Sequence, residues 1–248
     1  MAGHSHWAGI KHKKALIDNK RGKLWGKLSK LIIVAAKTGG GDPTQNLRLR
    51  YAIDDAKAAN MPNDTIDRAV KKGTGDLDSD NYEEIVYEGY GPGGVAVMCE
   101  ILTDKRTRTA PEIRKIFEMA DGKMGATNCV AWIFDRRGLV IVPAAGQDED
   151  ALMELALENG ASDFKKAGNA FEIICEMSEF EGLKAALTDA KIPMDSAQLT
   201  CIPSNTVDVD GETGRKVIKL LEILDDHDDV QQVYANFSMP EEALSDAE

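Results

Sequence analysis

The spacing of apolar positions changes character along this chain, and the change divides it. Over Ala15 to Lys37, Leu24, Leu28, Leu31, Ile32 and Ala35 recur at i, i+4, i+7, i+8 and i+11. That spacing predicts an amphipathic helix with one apolar stripe. Gly39-Gly40-Gly41 ends it. Asp42-Pro43, a capping residue followed by a first-turn proline, predicts a second helix with Leu49, Ala52, Ile53 and Ala56 inward. Met61-Pro62-Asn63-Asp64 predicts a third, with Ile66, Ala69 and Val70 apolar and Gly73 as its stop. Thr74 to Asn81, rich in Gly, Asp and Ser, reads as a linker.

Beyond the linker the period shortens. Glu84–Glu88 and Val95–Ile101 read as strands flanking Gly89-Tyr90-Gly91-Pro92-Gly93-Gly94. The hexamer matches GxGxxG, but a dinucleotide fingerprint opens a helix. Here a β-branched run follows and Pro92 sits inside, so a hairpin turn is expected. Thr109-Ala110-Pro111-Glu112 has the form of a capping box opening a helix to about Ala120. Strands at Ala131–Phe134 and Leu139–Val142 are expected around a turn at Asp135–Gly138. A helix at about Asp148–Asn159, strands near Ser162–Lys166 and Phe171–Cys175, and a helix opened by Ser178-Glu179-Phe180-Glu181 follow, then a strand Gln198–Ile202. From Leu139 this is βαββαβ, the ferredoxin-like order. A helix with Val217, Leu220, Leu221 and Leu224 on one face and a strand Gln231–Phe237 complete the pattern.

The ββα unit near 82–121 leaves one sheet face poorly covered, and the final helix and strand belong to no complete unit. Joining them predicts an α+β protein of three domains: a three-helix domain at 1–78, a discontinuous α/β domain at 79–130 plus 206–238, and an inserted ferredoxin-like domain at 131–205. An acidic tail, 239–248, follows.

Charge sharpens this division. The chain has 248 residues and a formal net charge of −12. Yet residues 1–75 hold fifteen Lys and Arg against six Asp and Glu. Within the first thirty residues Lys11, Lys13, Lys14, Lys20, Arg21, Lys23, Lys27 and Lys30 oppose Asp18 alone. Lys20, Lys23, Lys27 and Lys30 also form a stripe about a quarter turn from the apolar one. Such a block implies a polyanion, a solvated face or an acidic neighbour. Trp7 and Trp25 within it suit base stacking or a core equally. Arg48 and Arg50 are expected to extend the basic surface. Lys105, Arg106 and Arg108, before a helix, suit either a phosphate contact or a solvated loop.

Other chemistry is sparse. No P-loop, GxSxG or HExxH occurs. Three of the four histidines lie in the first twelve residues without ligand spacing, and His227 lies in Asp225-Asp226-His227-Asp228-Asp229, which reads as a surface loop. The dispersed Cys99, Cys129, Cys175 and Cys201 read as thiols of a reducing compartment. No run is long enough to span a membrane, and no secretory signal pattern opens the chain. We therefore expect no enzyme, cofactor, metal or small-molecule substrate, and a cytoplasmic location.

Several strings resemble the YebC family of bacterial regulatory proteins, which is related to a mitochondrial translational activator. They are Met1–Trp7, Ile10–Lys14, Lys20-Arg21-Gly22-Lys23, Gly39–Pro43 and Tyr87–Gly94, and the resemblance runs the length of the chain. Two departures stand out. His6 occupies a position where the family usually has Lys, and Asp121-Gly122-Lys123-Met124-Gly125 replaces a Gly-Gly-Asn-Leu-Gly type run. The resemblance implies a helical domain followed by two α/β domains, and control of gene expression. The family is described as DNA-binding transcriptional regulators, and alternatively as ribosome-associated translation factors that relieve stalling at proline-rich stretches. The expected partner is accordingly DNA or ribosomal RNA, bound through the eight basic residues above with help from Arg48 and Arg50. A stripe almost wholly of lysine suits backbone contact, not base reading.

Overall fold

A computed structural model of the protein describes residues 21–78 and 81–239. Three helices come first: α1 (Arg21–Gly39), α2 (Leu47–Ala58) and α3 (Asn63–Thr74). Leu28, Ile32, Ile33, Ala35 and Ala36 of α1 pack on Leu49, Ala52 and Ala56 of α2 and on Ile66 and Ala69 of α3. Leu24, expected in the stripe, is 43% exposed. Trp25 joins this core and its indole N–H donates to the Ala59 carbonyl at 3.0 Å. Trp25 is thus a core anchor, while Trp7 lies outside the described residues.

Two helix boundaries within this unit differ from the sequence expectation. Asp42 closes a turn, its Oδ1 accepting from Thr44 N and Oγ1. The cap of α2 is instead buried Asn46, whose Oδ1 accepts from Leu49 N while its Nδ2 donates to the Ala35 and Gly40 carbonyls. One amide thereby satisfies a helix start and two carbonyls near the end of α1. Gly73 does not stop α3. The stop is Gly75, at φ 88°. Gly73 lies inside the helix where α3 meets α1, and a Cβ there would sit 2.5 Å from the Ile33 carbonyl oxygen.

The first sheet contains β1 (Glu83–Tyr90), β2 (Ala96–Thr103), β3 (Lys123–Met124) and a late strand, β9 (Val230–Ala235), in the order β3-β1-β2-β9. The β1–β2 hairpin turns through Gly93 and Gly94, both at positive φ. Helices α4 (Arg106–Met119) and α7 (Gly211–Asp225) cover the sheet through Ile113, Phe117, Val217, Leu220, Leu221 and Leu224. Val97 pairs with Ala235 and Cys99 with Val233. Thr109 is not a cap; α4 begins three residues earlier. Buried Glu88 accepts from the backbone N–H of Asn128, Val130 and Ala131 at 2.7–2.8 Å and ties the 125–131 loop to β1.

Between α4 and α7 the chain forms a second four-stranded antiparallel sheet. Its strands β4 (Phe134–Pro143), β5 (Ala161–Ala167), β6 (Ala170–Cys175) and β7 (Ser196–Pro203) are ordered β5-β6-β4-β7. Helices α5 (Glu149–Glu158) and α6 (Phe180–Asp189) pack on one face through Leu152, Ala156, Leu183 and Leu187. The expected turn at 135–138 is absent: β4 runs through it, and Gly138 pairs with both Cys175 and Leu199. A Cβ on Gly138 would lie 2.6 Å from Cys175 Sγ and Phe180, so the glycine permits close approach. Ser178 does not cap α6 either; Glu179 holds that position without a side-chain cap bond. Short strands β8 (Val207–Asp208) and β10 (Phe237–Ser238) pair in parallel. Phe134 and Cys201 meet Ala96, Met98 and Tyr234, joining the two sheets.

Gly73 offers a test of the helical packing. Alanine normally stabilises a helix interior by about 1 kcal/mol relative to glycine. Here the added methyl meets the Ile33 carbonyl, so Gly73→Ala is expected to destabilise by roughly 1–3 kcal/mol. A thermal melt reads the sign, and a raised Tm would show that α1 and α3 separate without cost.

Candidate nucleic-acid interface

The lysine stripe of α1 lies against the turn between α7 and β9. Lys23 Nζ donates to Asp226 Oδ2 at 2.8 Å and to the Asp226 carbonyl at 3.2 Å. Lys27 Nζ donates to the Asp225 carbonyl and lies 3.8 Å from Asp225 Oδ1. Lys30 Nζ donates to Asp229 Oδ1 at 2.8 Å and to the Asp228 carbonyl at 3.0 Å. Helical spacing puts the three ammonium groups in a row, and the turn sets carboxylates and carbonyls along it. The Lys27 and Lys30 side chains are only 11% and 18% exposed, so the row does not face open solvent.

Asp229 is the centre of this contact. Its side chain is 4% exposed. Besides Lys30, it accepts from Arg108 and from Thr109 Oγ1 at 2.8 Å each, and from Thr103 Oγ1 at 3.2 Å. Burial alone would raise its pKa; hydrogen bonds from Lys30, Arg108 and Thr109 outweigh that and hold the carboxyl well below the ordinary carboxylate range. Thr109 lies within α4 with its hydroxyl on Asp229. His227 Nδ1 accepts from Asp229 N and Nε2 faces Glu112 Oε2, both at 3.1 Å. Lys23, Lys30, Arg108, Lys115 and the acidic turn line a cleft of about 790 Å³.

The remaining expected contacts are placed as follows. Arg48 forms a two-nitrogen contact with Glu84, and Arg50 lies 3.5 Å from Glu181 and over the Tyr51 ring. Neither guanidinium extends an unpaired basic surface. Arg21 opens α1. Its side chain and Lys11, Lys13, Lys14 and Lys20 lie outside the described residues. The acidic turn is the component missed in the sequence. Its charge was visible, but no local pattern reveals that it meets a helix some 200 positions earlier.

Among the described residues no cluster of three His, Cys, Asp or Glu is placed to hold a metal. No described helix is long and apolar enough to cross a membrane. All four cysteines are free, and burial raises the Cys201 thiol to about 11.

The fold is that of a multi-domain α+β protein with several sheets. The chain belongs to the TACO1/YebC family: the TACO1/YebC protein N-terminal domain matches residues 5–76, and the TACO1/YebC second and third domain matches 82–237. It is 56% identical over 247 residues to a probable transcriptional regulatory protein of Natranaerobius thermophilus, covering 98% of this chain and 99% of that one. A probable transcriptional regulatory protein of Rhodopirellula baltica is 51% identical, covering 99% of this chain and all of that one. The crystal structure of a conserved hypothetical protein from Aquifex aeolicus is similar at TM-score 0.85 and 48% identity, over 96% of this chain and 98% of that one.

The Asp229 network sets a pH dependence. Its folded pKa lies below the unfolded value of about 3.9. Its stabilisation is therefore complete above that value and is lost as pH falls through the folded value. Asp229→Asn is expected to cost about 3 kcal/mol at pH 7, as breaking a buried ion pair does. In urea unfolding, the gap between parent and variant should narrow below about pH 4. A gap unchanged from pH 7 to 3 would exclude an ionic role.

Proposed function

We propose that this chain is a non-enzymatic, cytoplasmic, nucleic-acid-binding regulator of gene expression. It binds phosphate backbone through its N-terminal segment, using Lys11, Lys13, Lys14, Lys20, Arg21, Lys23, Lys27 and Lys30. The observation that carries this reading is the segregation of charge: those eight cations face one acid within thirty residues of a chain whose net charge is −12. The apolar residues of α1 hold the helical core. We read the chain as three domains, 1–78, 79–130 with 206–238, and 131–205, in keeping with three large cores. The curated relatives' names favour transcriptional control.

A second reading, a translation factor on ribosomal RNA that relieves stalling, is favoured by one feature. The guanidinium groups of α2, which could read base edges, are held by Glu84 and Glu181. What remains, apart from Arg21, is lysine, which recognises backbone. Crosslinking in growing cells with sequencing of recovered DNA and RNA separates these readings. Discrete promoter DNA supports the first, and one ribosomal RNA locus the second.

In vitro, log affinity should fall with log salt. The slope is expected near −7 on duplex DNA if all eight cations meet phosphates, and about −4 to −5 if only Lys11, Lys13, Lys14, Lys20 and Arg21 do. Alanine at those five should abolish most binding. A slope near zero refutes nucleic-acid binding by this segment.

A further inference from the structure

From the contact between α1 and the 225–229 turn we infer that the turn is an internal stand-in for a phosphate backbone, one that nucleic acid must displace to reach Lys23, Lys27 and Lys30. This inference rests on the proposed nucleic-acid reading and adds a regulatory contact to it. The turn supplies what a backbone supplies: a row of anionic and carbonyl oxygens along one lysine face. It meets each ammonium with two oxygens. Turn and helix belong to different cores, so they can part without opening either one. Lys23 is 49% exposed and Asp226 44%, so this end of the row is reachable from solvent. When Lys30 leaves, Asp229 keeps Arg108 and Thr109, so displacement does not strand a buried charge.

The arrangement has a thermodynamic signature. A lysine that moves from a turn carboxylate to a phosphate releases a counterion from the nucleic acid, but the carboxylate it leaves regains an ion atmosphere of its own. The two effects oppose each other, so the exchange contributes less to the salt dependence of binding than a lysine with no carboxylate partner does. The intact protein should accordingly show the shallow slope of the five other cations. Neutralising Asp225 and Asp226 should restore the contacts of Lys23 and Lys27, making binding both tighter and steeper in salt.

The test compares the full chain with Asp225→Asn/Asp226→Asn/Asp228→Asn, leaving Asp229 intact. The probes are a duplex DNA of about 20 base pairs and a single-stranded polyuridine RNA of about 20 nucleotides. A control, Asp150→Asn/Glu154→Gln/Glu158→Gln, removes three exposed acids from α5. We expect the turn variant to bind at least about tenfold tighter at low salt, with a slope on the duplex steeper by about 1.8 and on RNA by about 1.4, because Lys23 and Lys27 lose their carboxylates while Lys30 keeps Asp229. The control should change little. Hydrogen exchange of residues 222–230 in the parent protein should rise when either probe is added.

A turn variant that binds no tighter overturns the inference, as does an α5 variant that gains equally. In both cases arm-dependent binding by the parent still stands. If neither parent nor variant binds either probe, the nucleic-acid reading fails, and the inference with it. A gain confined to DNA or to RNA assigns which polymer competes with the turn.

Discussion

A buried carboxylate, Asp229, ties together parts of the chain that have no sequence proximity. It receives Lys30 from α1, Arg108 and Thr109 from α4 and Thr103 from the end of β2. Its own carbonyl accepts from Leu102 N, registering the turn against the sheet. Removing a carboxylate from water is costly, and only several strong donors together offset it. Thr109, inside α4, is one of those donors, and the acidic α7–β9 turn lies along the lysine face of α1.

The helical unit meets the other units mainly through polar contacts: three lysines on the acidic turn, Arg48 on Glu84, Arg50 on Glu181, and the Tyr51 ring edge-on to Phe180 at 6.3 Å. The exposed ones, Lys23–Asp226, Arg48–Glu84 and Arg50–Glu181, each contribute about 1 kcal/mol or less and weaken with salt. The two sheets, by contrast, share an apolar contact through Phe134, Cys201, Met98 and Tyr234. Polyanion and ionic strength therefore act first at the junction of the helical unit with the rest.

Charge segregation has two consequences at once. A basic segment on an acidic body can attract a polyanion, and it can equally attract its own body. Distance and burial decide between them residue by residue. Lys27 and Lys30 are enclosed by the turn, whereas Lys23 remains half open.

Much of this was legible locally. The 3.6-residue stripe of α1, the hairpin at Gly89–Gly94 and the β-α-β-β-α-β succession follow from apolar period and turn chemistry, which act over a few residues. The sequence also set the uneven charge. What it could not display was any feature dependent on a distant partner. Asn46 outcompetes Asp42 as a cap because α1 places two carbonyls beside it. Gly138 is strand, not turn, because β6 and β7 flank it and Phe180 leaves no room for a Cβ. Above all, the sequence determined that Lys23, Lys27 and Lys30 share one helix face. Only the tertiary structure decided what that face touches, because pairing across about 200 residues depends on β9 returning to β2.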